Sequence, residues 1–175
     1  MFWLNIISNF FKVMRAGQTP TQIAAGFALG AIIGLSPMFT LQGIAVWLII
    51  LTLDVNLSAA TLALALFSAF AYIFDPLFHR LGYFLLVDVD SLKSLWTTLY
   101  NAPIAPLSRF NNTVVLGSFV GAIVLTVPVF VGMKRLVVAY RAHLHTRVEK
   151  WKLYQLISKS SFYGWYQRVS KMGVI

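Results

Sequence analysis

Residues 20–53 read PTQIAAGFALGAIIGLSPMFTLQGIAVWLIILTL, with no charged side chain among them. A helix needs about 20 mostly apolar residues to cross the hydrocarbon of a bilayer. This stretch is too long for one crossing, and Ser36-Pro37 divides it. Proline lacks the amide that continues a helix and pushes the residue before it out of the α region. The two pieces, 20–35 and 37–53, each reach roughly 24–26 Å at 1.5 Å per residue, short for a full crossing. Two arrangements satisfy this: two short transmembrane helices, or a re-entrant hairpin that enters and leaves on one face. Both return the chain to the side from which it started.

Two further stretches are free of charge, between Asp54 and Asp75 and between Arg109 and Lys134. Residues 114–131 form the plainest span. Residues 58–74 are slightly short and are completed by their flanks. The expected fold is therefore all-α: a polytopic helical membrane protein with about four membrane-embedded segments. Residues 75–113 are expected outside, opening with a short apolar helix from Asp75-Pro76 to about Val87.

Composition agrees. The chain has 175 residues, 59% of them hydrophobic and 11% charged, with mean hydropathy +0.77. Soluble domains are about 45–50% apolar and about 25% charged, so a soluble fold is excluded by lack of polar surface. There is no Cys, which removes disulfides, thiolate nucleophiles and Cys-held metals. The net charge of +9 lies mainly at the two ends. Lys12 and Arg15 lie in the first twenty residues, and nine basic residues face Glu149 after position 132, while the centre is slightly acidic. By the positive-inside rule both termini are cytoplasmic and the number of crossings is even. Basic ends that flank lipid-like segments are better explained this way than by nucleic acid, and no nucleic-acid partner is expected.

Three domains follow from the pattern. In 1–18, Phe2, Trp3, Ile6, Ile7, Phe10, Val13 and Met14 recur at helical spacing opposite polar residues, the mark of an amphipathic interfacial helix. Residues 19–132 form the membrane domain. Residues 133–175 form a basic amphipathic cytoplasmic tail, with one stripe at Val137, Tyr140, Leu144, Val148 and Trp151 and another at Phe162, Trp165, Tyr166 and Val169.

Thr19-Pro20, Ser36-Pro37 and Asp75-Pro76 share one logic: a capping side chain precedes a proline at the first helical position. Thr19 with Gln22 also fits a capping box. Gly26, Gly30 and Gly34 recur every fourth residue, as do Gly117 and Gly121. Small residues at this spacing let helix backbones approach closely in lipid. Packing within the bundle is the plain reading, and homo-oligomerisation the sharper one. A helix break within an apolar stretch is also how transporters present backbone groups to a substrate. In that reading Ser36 and the lone polar Gln42 are the substrate-binding candidates. Gln42 as an amide satisfied by a neighbouring helix is the plainer alternative. No nucleophile elbow, phosphate loop, zinc motif or paired carboxylate occurs, and His143 and His145 are two apart and diverge on a helix. No catalytic residue, cofactor or metal site is read from the sequence, and the chain is not expected to be an enzyme.

The ordered set Gln22-Ile23-Ala24-Ala25-Gly26-Phe27-Ala28-Leu29-Gly30, Gly34, Ser36-Pro37, Leu41-Gln42, Asn56-Leu57-Ser58-Ala59-Ala60, Asp75-Pro76-Leu77 and Arg80-Leu81-Gly82 resembles an uncharacterised bacterial membrane family, domain-of-unknown-function family twenty sixty-two. The resemblance covers residues 19 to about 131. Many relatives have Asn-Pro in place of Asp75-Pro76 and Pro in place of Ser58, and this form looks like a subfamily from bacteria with outer membranes. The resemblance implies a multi-pass inner-membrane protein with no established activity. It further implies pairing with a long envelope protein of the bridge-like, AsmA-related kind, and so a role as membrane partner or scaffold of an envelope assembly for lipid movement. A small transporter or flippase with its site around Ser36-Pro37 is the alternative.

Overall fold

The computed structural model describes residues 9–14 and 17–144. The described residues contain helices and no strand. Besides the helical residues 9–14, five α-helices organise them: α1 (Pro20–Leu35), α2 (Leu41–Thr52), α3 (Leu57–Tyr83), α4 (Lys93–Asn101) and α5 (Thr113–Ala139). The chain divides into two units, Met1–Val137 and Val138–Ile175. In the second, short π-helical winding at Tyr140–Leu144 ends the described part. Of the interfacial helix expected over 1–18, residues 9–14 are helical, with Val13 and Met14 buried and Asn9 and Lys12 exposed. Its first eight residues, and the tail stripe from Val148 onward with Phe162, Trp165, Tyr166 and Val169, lie outside the described residues.

α1 starts as its sequence dictates. The Thr19 hydroxyl accepts from the Gln22 amide at 3.2 Å, and Gln22 Oε1 accepts from the Thr19 amide at 2.9 Å. This capping box satisfies two of the amides a helix start leaves unpaired. The helix is buried from residue 30 through Leu35, and it packs along α3. The register is set by glycine. A Cβ on Gly26 would strike the Asn56 carbonyl, one on Gly30 the Ala60 carbonyl, and one on Gly34 would lie 2.8 Å from the Leu64 carbonyl oxygen. Each four-residue step on α1 matches a four-residue step on α3, so the two helices run parallel with backbones in contact. Phe27 closes the seam edge-on against Phe67, with ring centroids 5.9 Å apart.

Two expected caps are corrected here. Ser36 does not open the next helix. It ends α1, with its hydroxyl donating back to the Ile32 carbonyl at 2.6 Å. Its extended backbone is what the following proline demands. Residues 37–40 turn the chain, and Thr40 caps α2, accepting from the Gly43 amide at 3.3 Å. Asp75 caps nothing, because α3 runs unbroken through Pro76. Proline removes one intrahelical bond, to the Tyr72 carbonyl. Phe78 and Gly82, two and six residues beyond it, are buried in a close contact with α5, and that packing outweighs one lost bond. The separate apolar helix expected from Asp75 is thus the last part of α3.

α5 returns beside α3. A Cβ on Gly82 would meet the Thr113 carbonyl, one on Gly117 the Phe78 carbonyl, and one on Gly121 would lie 2.9 Å from the Phe78 ring. The start of α5 therefore lies at the end of α3, and the pair is antiparallel. Between them, residues 84–112 make a cap from short π and 3₁₀ turns and α4. The Trp96 indole donates to the Leu85 carbonyl at 2.8 Å and stacks on Phe110 at 5.7 Å.

Two helical stretches, Leu57–Asp88 and Thr113–Ala142, are long and apolar enough to cross a membrane. Only 22% and 28% of their most apolar windows are buried within the chain. Outward-facing residues such as Ile73, Leu77, Val124 and Val127 leave an apolar surface that points to membrane association.

Candidate functional site

The hairpin α1–α2 is closed at its base by a polar cluster. Gln22 Nε2 donates to Asp54 at 2.6 Å, and the Asn56 amide donates to the Gln22 carbonyl at 3.1 Å. The buried Asn56 side chain accepts from the Ala59 amide at 2.6 Å and donates to Gln18. The chain therefore leaves α2 at the end where α1 began. α1 rises about 24 Å and α2 about 18 Å at 1.5 Å per residue, and the tip between them carries Ser36 and Gln42.

Gln42 reaches across to the cap. Its Nε2 donates to the Ser108 carbonyl at 3.0 Å, while its Oε1 is buried without a hydrogen-bond partner. The carbonyl at Ser108 fixes which end of the amide faces it, because only the nitrogen can donate. An unmet buried acceptor costs about 1–3 kcal/mol, so this oxygen is where an incoming donor gains most. Next to it, Arg109 holds a left-handed backbone, φ 54°, at the end of the 3₁₀ turn Ala105–Ser108.

The profile of a family described as "Uncharacterized protein conserved in bacteria (DUF2062)" matches residues 6–145. The chain belongs to that family. The match takes in all five helices and both ends of the hairpin. A relative described as "Uncharacterized protein" from Treponema pallidum (strain Nichols) is 24% identical over 154 residues, covering 88% of this chain and 94% of the relative. No solved structure matches.

Within this DUF2062 chain the structure places the expected residues as follows. Gly26, Gly30 and Gly34 meet α3, Gly117 and Gly121 meet α3 at its far end, and Thr19 caps α1. Ser36 and Gln42 share the tip but no hydrogen bond, since the Ser36 hydroxyl is spent on its own helix. His79 places Nδ1 2.7 Å from the Thr113 hydroxyl. Sequence reasoning missed a surface hollow of about 450 Å³ lined by His79, Arg80, Tyr83 and Asp88. Part of its signal was present: residues 79, 80 and 83 fall within about one helical turn at the end of an apolar run. Among the described residues no group of three or more His, Asp or Glu is placed to hold a metal.

Proposed function

We propose that this protein is a multi-pass inner-membrane protein, with both termini cytoplasmic, that serves as the non-enzymatic membrane partner of an envelope assembly. α1 and α2 form a re-entrant hairpin, α3 carries the chain out and α5 brings it back. What carries this reading is the contrast between α1 and α2. α1 is sealed into the backbone of α3, whereas α2 leaves Leu41, Ile44, Leu48, Ile49 and Leu51 exposed. A fixed wedge bearing an uncovered apolar helix is the geometry of a docking element held at membrane depth. The partner that the family resemblance implies is a long AsmA-related envelope protein, and lipid movement would be the work of the assembly. A photocrosslinker at Leu48 or Leu51 in native membranes tests this. Adducts with such a protein support it. A chain that yields only lipid adducts and runs alone in mild detergent refutes it.

One observation favours a second reading, a small transporter or flippase. The orphaned Gln42 oxygen lies beside the Ser36-Pro37 break, where a polar substrate would find an acceptor. In that case Gln42→Ala abolishes transport at unchanged membrane abundance. Equal loss of abundance assigns Gln42 to packing.

A further inference from the structure

We propose that the hollow lined by His79, Arg80, Tyr83 and Asp88 binds the headgroup of an aminophospholipid of the ethanolamine type, its phosphate at Arg80 and His79 and its ammonium at Asp88. The inference rests on the membrane reading above. Arg80 lies about 35 Å along α3 from Leu57 at 1.5 Å per residue. That is just past a hydrocarbon core of about 30 Å, at headgroup level. With cytoplasmic termini, this is the outer face.

Both signs of charge line the hollow, and neither forms an ion pair among the described residues. The one ion pair among the described residues is Lys93 with Asp90, at 2.5 Å. The Lys93 ammonium is held by Asp90, and Asp88 adds a weaker attraction. Arg80 and Asp88 form no ion pair with each other or with another described residue. The His79 ring is held through Nδ1 by Thr113 and sits 6.3 Å from the Tyr83 ring, centroid to centroid. Its Nε2 and the Tyr83 hydroxyl are further polar atoms for a phosphate.

The pairing of charges selects the ligand. Asp88 repels a purely anionic headgroup, whereas one bearing phosphate and ammonium together answers both sides of the hollow. A primary ammonium donates hydrogen bonds to a carboxylate, and such charge-assisted bonds are the strong ones. A choline headgroup has no N–H to donate, and one tyrosine is not the aromatic cage that holds quaternary ammonium. The exposed side chains of Leu77, Phe84 and Val87 flank the hollow in sequence and suit acyl chains. At about 450 Å³ the hollow is within the range of small-ligand sites, about 300–1,000 Å³.

The test is native mass spectrometry of the full chain, delipidated in mild detergent and titrated with phosphatidylethanolamine, phosphatidylglycerol or phosphatidylcholine. The wild type should favour phosphatidylethanolamine about tenfold, the worth of one charge-assisted bond. Asp88→Asn should erase that preference, and Asp88→Lys should turn it toward phosphatidylglycerol. Arg80→Gln should weaken all three lipids about tenfold. Arg135→Gln, far from the hollow on α5, should change nothing. An unchanged preference in both Asp88 variants overturns the proposal, as does a wild type without preference. Displacement by glycerophosphoethanolamine at concentrations equal to the lipid also overturns it, reassigning the site to a soluble phosphoamine. Alkaline carbonate extraction of native membranes separates the two levels. Release of the chain removes the membrane reading and this inference together. Retention leaves the lipid titration to judge the hollow alone.

Discussion

Adding one methyl group at Gly30 tests the glycine seam directly. In Gly30→Ala the new Cβ would lie 2.7 Å from both the carbonyl carbon and the Cα of Ala60, and closer still to its oxygen. All three are backbone atoms, so no side-chain rotation relieves the clash and the helices must separate. Gly26 and Gly34 sit one turn to either side in the same seam, so separation loosens their contacts too. Overpacking of this kind costs about 1–3 kcal/mol, and the rigid neighbour places Gly30 at the upper end. Alanine returns about 1 kcal/mol through its better helix propensity, leaving a net loss of about 2 kcal/mol. For a chain of this size that lowers Tm by about 4–8 °C. Gly132→Ala is the matched control, because nothing lies within 4 Å of its added Cβ. There only the propensity gain remains, and Tm should rise by about 2–4 °C. Thermal melts of the purified chain in mild detergent, followed by circular dichroism, read both variants. If Gly30→Ala raises Tm as Gly132→Ala does, the reasoning from backbone contact is wrong.

Thr19→Ala removes one side of the capping box and should lower stability by about 1 kcal/mol, seen in the same melts. The Lys93 hydrogen bond and charge hold Asp90 below the usual carboxylate range. The pair's contribution is therefore present above the unfolded carboxylate value and fades as pH falls through the lower folded one. Both side chains are exposed to solvent, where such pairs are screened, so Asp90→Asn should leave Tm at neutral pH unchanged, and a clear fall would show the pair to be structural. The absence of cysteine makes the chain a ready background for thiol labelling in spheroplasts. Asp88→Cys should react with an impermeant reagent from outside, Asp54→Cys only after lysis, and Phe39→Cys at the hairpin tip from neither side; labelling of Asp54→Cys and Asp88→Cys from the same side would refute the proposed path.

What the sequence made legible was whatever depends on local chemistry or on spacing along one helix. Thr19 and Gln22 cap a helix wherever they stand before a proline and an apolar run. Glycines at every fourth residue mark a close approach whatever the partner. The partner itself was not legible, because the match of Gly26, Gly30 and Gly34 to Asn56, Ala60 and Leu64 is a property of two segments docked together. Asp75-Pro76 and Ser36-Pro37 look alike in sequence and separate in the fold for the same reason. After Pro76 the helix has Phe78 and Gly82 to seat against α5. After Pro37 the next residues, Met38 and Phe39, are exposed, and nothing repays a broken helix for continuing. The hollow was missed because Asp88 joins His79, Arg80 and Tyr83 only through the π-helical winding of Phe84–Asp88, which no periodicity announces.

The parallel seam constrains the rest of the fold. Two helices adjacent in space and parallel, with one helix between them in sequence, require that helix to carry the chain back the full length of the first. α2 has 12 residues against 16 in α1, and it makes up the difference with extended backbone at Ser36 and Leu53. The hairpin therefore stops about 24 Å from its base. Its tip is joined to the cap where Gln42 meets Ser108. Gly34 faces Leu64, about 10 Å along α3 from Leu57, so in the proposed membrane arrangement the tip lies within the hydrocarbon and the turn at Ala105–Ser108 would have to dip inward to complete the contact. Such backbone is tolerated at that depth only where protein covers it or it lines a cavity. The buried Phe110 beneath the Trp96 ring supplies part of that cover, and the buried Gln42 oxygen is a polar atom at the tip left without a hydrogen-bond partner.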